Sequence, residues 1–514
     1  MWLVRGRKVE SLKTCVSAML RNHVLYFAVF ILLFAWLSPG QLASAQTEMP
    51  PSHVVPVYLD SGPVVNSGSE SAVIWSDVLQ VEGAEWLRLN FSEIHLPEEP
   101  VTHDGSILRI VSILDGATQT LNAESARQWR NTSAYFNGDA VSIELIAIPN
   151  GMENHVTINS VTVGDLYDQE GTESICDKID DRTLSDDLAV GRGLPAGCTA
   201  WIFNDANHCM LTAGHCSRVG NDVIEFNVPP SKKNGTIVHP GPEDQYAVDP
   251  ASQQFEDKRM GEDWSYFGCF PNSETGLTPY QAQGEFYEID FPEPPIPGDK
   301  ISIPGFGTVS PPVDPRWNQV DKITDGPYWS FNGTIVGYRT DTSGGNSGSP
   351  VVFEPTGKAI GIHTHGGCVD GSGHNSGTGI NNENLQEALD NPQGVCAGDD
   401  CISLAMDHLR AGRSSGLTVS KGIAGDTVTV LWSLSLGSYQ HEGTDWCVDF
   451  GLDIPPDKVK MHIAAQGVFD EDGQFEQDIF VSDQFQGKAI AFQAAVQNTC
   501  PDQCMSGIVE AIVE

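Results

Sequence analysis

The chain has 514 residues, too many for one ordinary domain, and 40% of them are hydrophobic, enough to bury several cores. Its 68 acidic residues outnumber 28 basic ones, and the resulting net charge of −40 repels phosphate backbones and argues against a nucleic-acid partner. Fifty-two glycines, 31 prolines and many short Val/Ile/Thr-rich runs point to all-β domains joined by tight turns.

Residues 1–45 read as an export signal. Arg5, Arg7, Lys8, Lys13 and Arg21 form a basic region, Val24–Leu37 is an apolar core, and Ala43–Ala45 offers small residues for cleavage. The apolar run is short for a membrane span, which needs about 20 residues. The mature chain is therefore expected outside the cytoplasm, secreted or periplasmic, with no membrane partner after cleavage. The 12 cysteines fit that compartment, where disulfides persist. With Cys15 removed the count is odd, which implies one free thiol or an unusual pairing.

Residues 47–165 alternate apolar and polar side chains at period two, as in "ILRIVSIL" and "VSIELIAI". An antiparallel β-sandwich is expected there, serving as an accessory or pro-domain, with a surface or a polysaccharide as its conceivable ligand. Residues 166–190 are acidic and aperiodic and read as a linker, with Cys176 as its candidate tether. Residues 191–410 are β-rich, with one helix expected near Asn382–Leu389. "AGRSSG" at 411–416 reads as a further boundary. Residues 416–514 return to short strands and fit a small β-sandwich with Cys447, Cys500 and Cys504 available for bridging.

The chemistry-bearing residues lie in 191–410. Ser347 sits in "DTSGGNSGSP" (Asp341–Pro350), where bulky side chains are missing around one hydroxyl. Serine is a weak nucleophile and needs a base, a group that orients the base, and donors for the developing oxyanion. The candidate base is His215 in "CMLTAGHC", followed at once by Cys216, onto which Cys198 could close a short loop. The candidate orienting carboxylate is Asp263 in "GEDWSYFGC", with Asp244, Asp249 and Asp257 as competitors. The amides of Gly345 and Ser347 can supply the oxyanion hole if the turn is right.

"LTAGHC", an aspartate before hydrophobics, then "GGNSGSP", in the order His, Asp, Ser, together resemble the trypsin/chymotrypsin superfamily. The resemblance implies two antiparallel β-barrels with the site between them. His215 would be the general base, Asp263 its partner and Ser347 the nucleophile, in an endopeptidase that needs no cofactor or metal and acts on proteins or peptides. Two features depart from the digestive members. Asn346 replaces the aspartate that precedes the nucleophile there, so activation through an ion pair at that position is not expected. "GIHTHGG" (Gly361–Gly367) resembles the bacterial glutamyl endopeptidases, in which the histidine matching His363, with a hydroxyl matching Thr342 or Ser343, receives an acidic side chain beside the residue matching Thr364. Asp341, by contrast, stands where trypsin-like members attract Arg or Lys. The two readings predict opposite substrate charge. A protease fold kept only for binding or adhesion is the alternative from another functional class.

Overall fold

The computed structural model describes residues 44–513, except 98–104, 150–151, 168–172, 370–371, 398–401, 407–408, 421, 423, 443–446, 453, 471–472, 497–505 and 507–508. The expected export signal, to residue 43, lies outside the described residues, as do Cys500 and Cys504. Among the described residues no helix is long and apolar enough to cross a membrane. The architecture is all-β, with only short helices between the strands.

The period-two alternation of the N-terminal region builds two antiparallel sheets. One orders its strands Ser52–Asp60, Glu153–Gly164, Trp86–His95 and Phe136–Asn137, and the other Ala72–Gln80, Ala140–Ala147, Ile107–Ser112 and Thr118–Leu121. Alternate residues such as Leu87, Leu89, Ile110, Ile143, Leu145, Val156 and Ile158 turn inward and share one buried core. That core does not stop at residue 165. Leu194, Val223, Ile237 and Ala247 belong to it, and Tyr135 stacks on His239 with ring centroids 4.6 Å apart. The N-terminal sheets are thus packed onto the elements that carry the site.

Two seven-stranded sheets follow. The first runs Gln245–Ala247, Asn221–Glu225, Val190–Pro195, Cys198–Ile202, Met210–Thr212, Asp263–Phe267 and Gln254–Asp257. In the second, six strands close on themselves: Lys358–Gly366, Pro350–Phe353, Lys300–Ser302, Asp325–Asn332, Ile335–Tyr338 and Asn375–Gly379, the last pairing back to the first. A seventh, two-residue strand ending at Ala45 also pairs with Lys358–Gly366. The helix Glu383–Asp390 is capped by Asn382, whose side chain accepts from the Leu385 amide.

The acidic stretch 166–190 is more than a linker. Glu173–Ser174 pairs with Thr342–Ser343, Thr183–Leu184 pairs with Lys322–Ile323, and Cys176 is disulfide-bonded to Cys368. Cys209 is bonded to Cys396, and Cys269 is a buried free thiol among the described residues. Residues 411–416 also differ from a flexible boundary: Arg413–Ser420 is a strand that pairs with Ser403–Met406 and with Phe475–Val481. The C-terminal sheets therefore begin at Ser403, and share a core of Ile402, Leu417, Val419, Val428, Val430, Phe492 and Ala494.

Candidate active site

Strand Met210–Thr212 lies beside Asp263–Phe267, with Thr212 opposite Ser265. A short helix, Gly214–Val219, leaves the first strand and carries His215 in its first turn. The Cys198–Cys216 disulfide ties that helix to the neighbouring strand, Cα to Cα 6.2 Å. Asp263, first residue of its strand, then faces the imidazole. Its Oδ2 is 2.6 Å from His215 Nδ1, and its Oδ1 accepts from the His215 amide at 3.0 Å. With Nδ1 committed to the carboxylate, Nε2 is free to accept, and Ser347 Oγ lies 2.8 Å from it. The competitors are engaged elsewhere: Asp244 with Asn227, Asp249 with the Ala251 and Val395 amides, and Asp257 with Arg218.

The glycines around Ser347 have local causes. Gly345 (φ +99°) and Gly348 (φ +93°) occupy backbone conformations that side chains disfavour. A Cβ at Gly345 would also lie 2.4 Å from the Phe306 carbonyl oxygen, and one at Gly348 only 2.0 Å from that of Thr199. Both glycines thus answer to the packing beneath Ser347. The Gly345 amide donates to the carbonyl of Gln46 at 2.6 Å, while the Ser347 amide, the other expected oxyanion donor, makes no bond to that oxygen.

Gln46 was not legible as a site residue, yet it lies against His363, Thr342 and Ser347. Its Oε1 lies 2.6 Å from His363 Nε2 and accepts from Thr342 Oγ1 at 2.9 Å. Its amide donates to Ser347 Oγ at 3.0 Å. His363 is fully buried, and burial holds its pKa down at about 3, so the ring is neutral. Tyr338 Oη sits 2.6 Å from His363 Nδ1. A phenol donating to Nδ1 leaves the ring proton on Nε2, directed at Gln46 Oε1.

The other expected pocket residues separate. Ser343 Oγ donates to the Thr308 carbonyl and accepts from Arg182, and Thr364 Oγ1 donates to the Ser376 carbonyl, so neither hydroxyl reaches Gln46. Asp341 does not face the pocket either. Its Oδ1 accepts from the Cys176 amide at 2.7 Å and its Oδ2 from the Asp181 amide at 3.4 Å. Burial raises its pKa to about 6. The segment 176–181 claims this carboxylate, and a substrate cation has no access to it through these bonds.

Sequence reading also missed Arg182. Its guanidinium pairs with Asp180 at 2.6 Å and donates to Ser343 Oγ, the Thr308 carbonyl and Asn346 Oδ1, beneath the nucleophile turn. Asn346 Oδ1 in turn accepts from the Ser343 amide at 3.1 Å. Where an ion pair at position 346 was not expected, a buried arginine from the preceding segment braces the turn. Arg182→Ala leaves Asp180 buried without its cation, and should cost about 3–5 kcal/mol in chemical denaturation. A loss below about 1 kcal/mol would show that the brace is dispensable. Cys198, Cys216 and His215 also cluster closely enough to hold a metal. Both sulfurs are spent in the disulfide, however, and both ring nitrogens face Asp263 and Ser347.

His215, Asp263 and Ser347 come from separate elements and meet in one hydrogen-bonded line. No protein-family model and no curated protein matches the chain. Solved structures similar to it include a thermostable serine protease, AL20, from an extremophilic microorganism, at 19% identity and a TM-score of 0.29 over 37% of this chain and 88% of that one. Another is a Glu endopeptidase in complex with MPD, at 15% identity and a TM-score of 0.30 over 42% of this chain and 98% of that one.

Proposed function

We propose that the chain is a serine endopeptidase that cleaves after acidic residues and acts outside the cytoplasm. The observation that carries the reading is the unbroken line Asp263–His215–Ser347, at 2.6 and 2.8 Å, beside an amide donor from Gly345. In that geometry His215 Nε2 takes the Ser347 proton as Oγ attacks the scissile carbonyl, and Gly345 holds the oxyanion. His215 then protonates the leaving amine, and water hydrolyses the acyl-enzyme. The acidic preference rests on His363 and Thr342. They offer donors to one oxygen of a side chain of glutamate length, while the Nε2 of Gln46 finds no acceptor there. A carboxylate would replace that orphaned donor with an acceptor. The three disulfides among the described residues fit an oxidising compartment.

A fluorophosphonate probe tests the reading. It is expected to label the chain on Ser347, and Ser347→Ala should remain unlabelled and inert towards a glutamyl peptide. A protease fold retained for binding alone would leave both proteins unlabelled and the peptide intact.

A further inference from the structure

Residues 45–48 lie through the proposed cleft as an extended strap. Ala45 ends the short strand that pairs with Lys358–Gly366. Gln46 is 1% exposed, with its side chain in the His363 pocket and its carbonyl on the Gly345 amide. Two residues on, the Glu48 amide donates to the Gly197 carbonyl at 3.1 Å, and the Glu48 carbonyl accepts from Gln319 Nε2 at 2.5 Å. Backbone on both sides of the Gln46–Thr47 bond is therefore hydrogen-bonded to the walls. The walls are also shaped for the strap. A Cβ at Gly366 would lie 2.4 Å from Gln46 Nε2, and one at Gly197 only 1.8 Å from the Glu48 carbonyl oxygen.

The position of the nucleophile gives this strap a chemical meaning. Ser347 Oγ is 3.0 Å from the Gln46 nitrogen, while the Gln46 oxygen sits on the Gly345 donor. The carbonyl carbon lies between those two atoms, two bonds from the nitrogen and one from the oxygen. We propose that the chain is its own first substrate and that Ser347 cleaves the Gln46–Thr47 bond within the same molecule. The proposal rests on the endopeptidase reading above.

The step balances with one water. Ser347 Oγ bonds to the Gln46 carbonyl carbon and its proton passes to His215 Nε2. The Gln46 C–Thr47 N bond breaks, and His215 returns the proton to the Thr47 amine. Water attacks the ester, gives one proton through His215 to Ser347 Oγ, and leaves Gln46 as a free carboxylic acid. Loss of Gln46 uncovers the nucleophile, which is fully buried in the uncut chain. Cleavage is thus also the event that admits other substrates, and it marks glutamine, alongside glutamate, as a side chain the pocket accepts.

The test is the N-terminus of the full 514-residue chain produced in a secreting host, read by intact mass and N-terminal sequencing. The parent chain is expected to begin at Thr47, at a rate independent of its concentration. Ser347→Ala is expected to begin at or before Gln46. If a leader peptidase cuts after Ala45, the two products differ by one glutamine. Gln46→Lys puts a cation against the donors of His363 and Thr342 and should slow the cut about 100-fold or more, with fluorophosphonate labelling delayed to match. A labelled parent chain that keeps Gln46 overturns self-cleavage and spares the endopeptidase reading. A Ser347→Ala chain that begins at Thr47 also overturns it, because another enzyme made the cut. A parent chain neither labelled nor cut removes both.

Discussion

Asp263→Asn is expected to lower kcat on a glutamyl peptide roughly 10⁴-fold while KM stays within a few-fold. Both carboxylate oxygens are in use, Oδ2 on His215 Nδ1 and Oδ1 on the His215 amide. The substituted side chain keeps an oxygen for the amide, so the helix that carries His215 has no reason to move. At Nδ1, however, it presents an NH2 group. That nitrogen must then accept, which sends the ring proton to Nε2, where Ser347 needs an acceptor. The base is lost by tautomer rather than by geometry. Steady-state kinetics with a parent-like melting temperature would separate this from unfolding. A substituted chain within ten-fold of the parent would show that Asp263 does not orient the base.

His363→Leu is expected to reduce kcat/KM for a glutamyl peptide by roughly 10- to 100-fold, the worth of a hydrogen bond to a charged group. Peptides with leucine before the cut should be little affected or improved. The contrast follows from where the donor points: His363 Nε2 and Thr342 Oγ1 converge on one side-chain oxygen and touch nothing in the backbone of the strap. Tyr338→Phe should weaken the same preference by less, since it removes the phenol that holds the proton on Nε2 but leaves the ring in place. Asp341→Asn should not turn an acidic preference into a basic one or the reverse, because that carboxylate caps residues 176–181. Equal losses on glutamyl and leucyl peptides after His363→Leu would mean that His363 supports the fold and does not read the substrate.

Local pattern carried much of this protein. Strand periodicity in "VSIELIAI" is visible because a half-buried strand must alternate its side chains, and Ala140–Ala147 does. His215, Asp263 and Ser347 stand out because each lies in a short run whose small or apolar neighbours suit a strand end or a tight turn. The order of the stretch 166–190 is hidden from local pattern for the complementary reason. It has no periodicity of its own, and its order comes from Cys368, Lys322–Ile323 and Thr342–Ser343, which are distant in sequence.

Sequence by itself determined which short runs around His215, Asp263 and Ser347 stand out and the order in which they come, since side-chain identity and short-range spacing suffice for both. Tertiary structure alone decided which of these side chains meet and what lies against them. Asp341 and Thr342 are adjacent, yet one turns to the Cys176 amide and the other to Gln46. Gln46 meets Ser347 at a sequence separation of 301 and His363 at 317. No local propensity encodes a meeting at that range. It arises only once Lys358–Gly366 is folded and residue 45 can pair beside it, a surface that exists only in the folded chain.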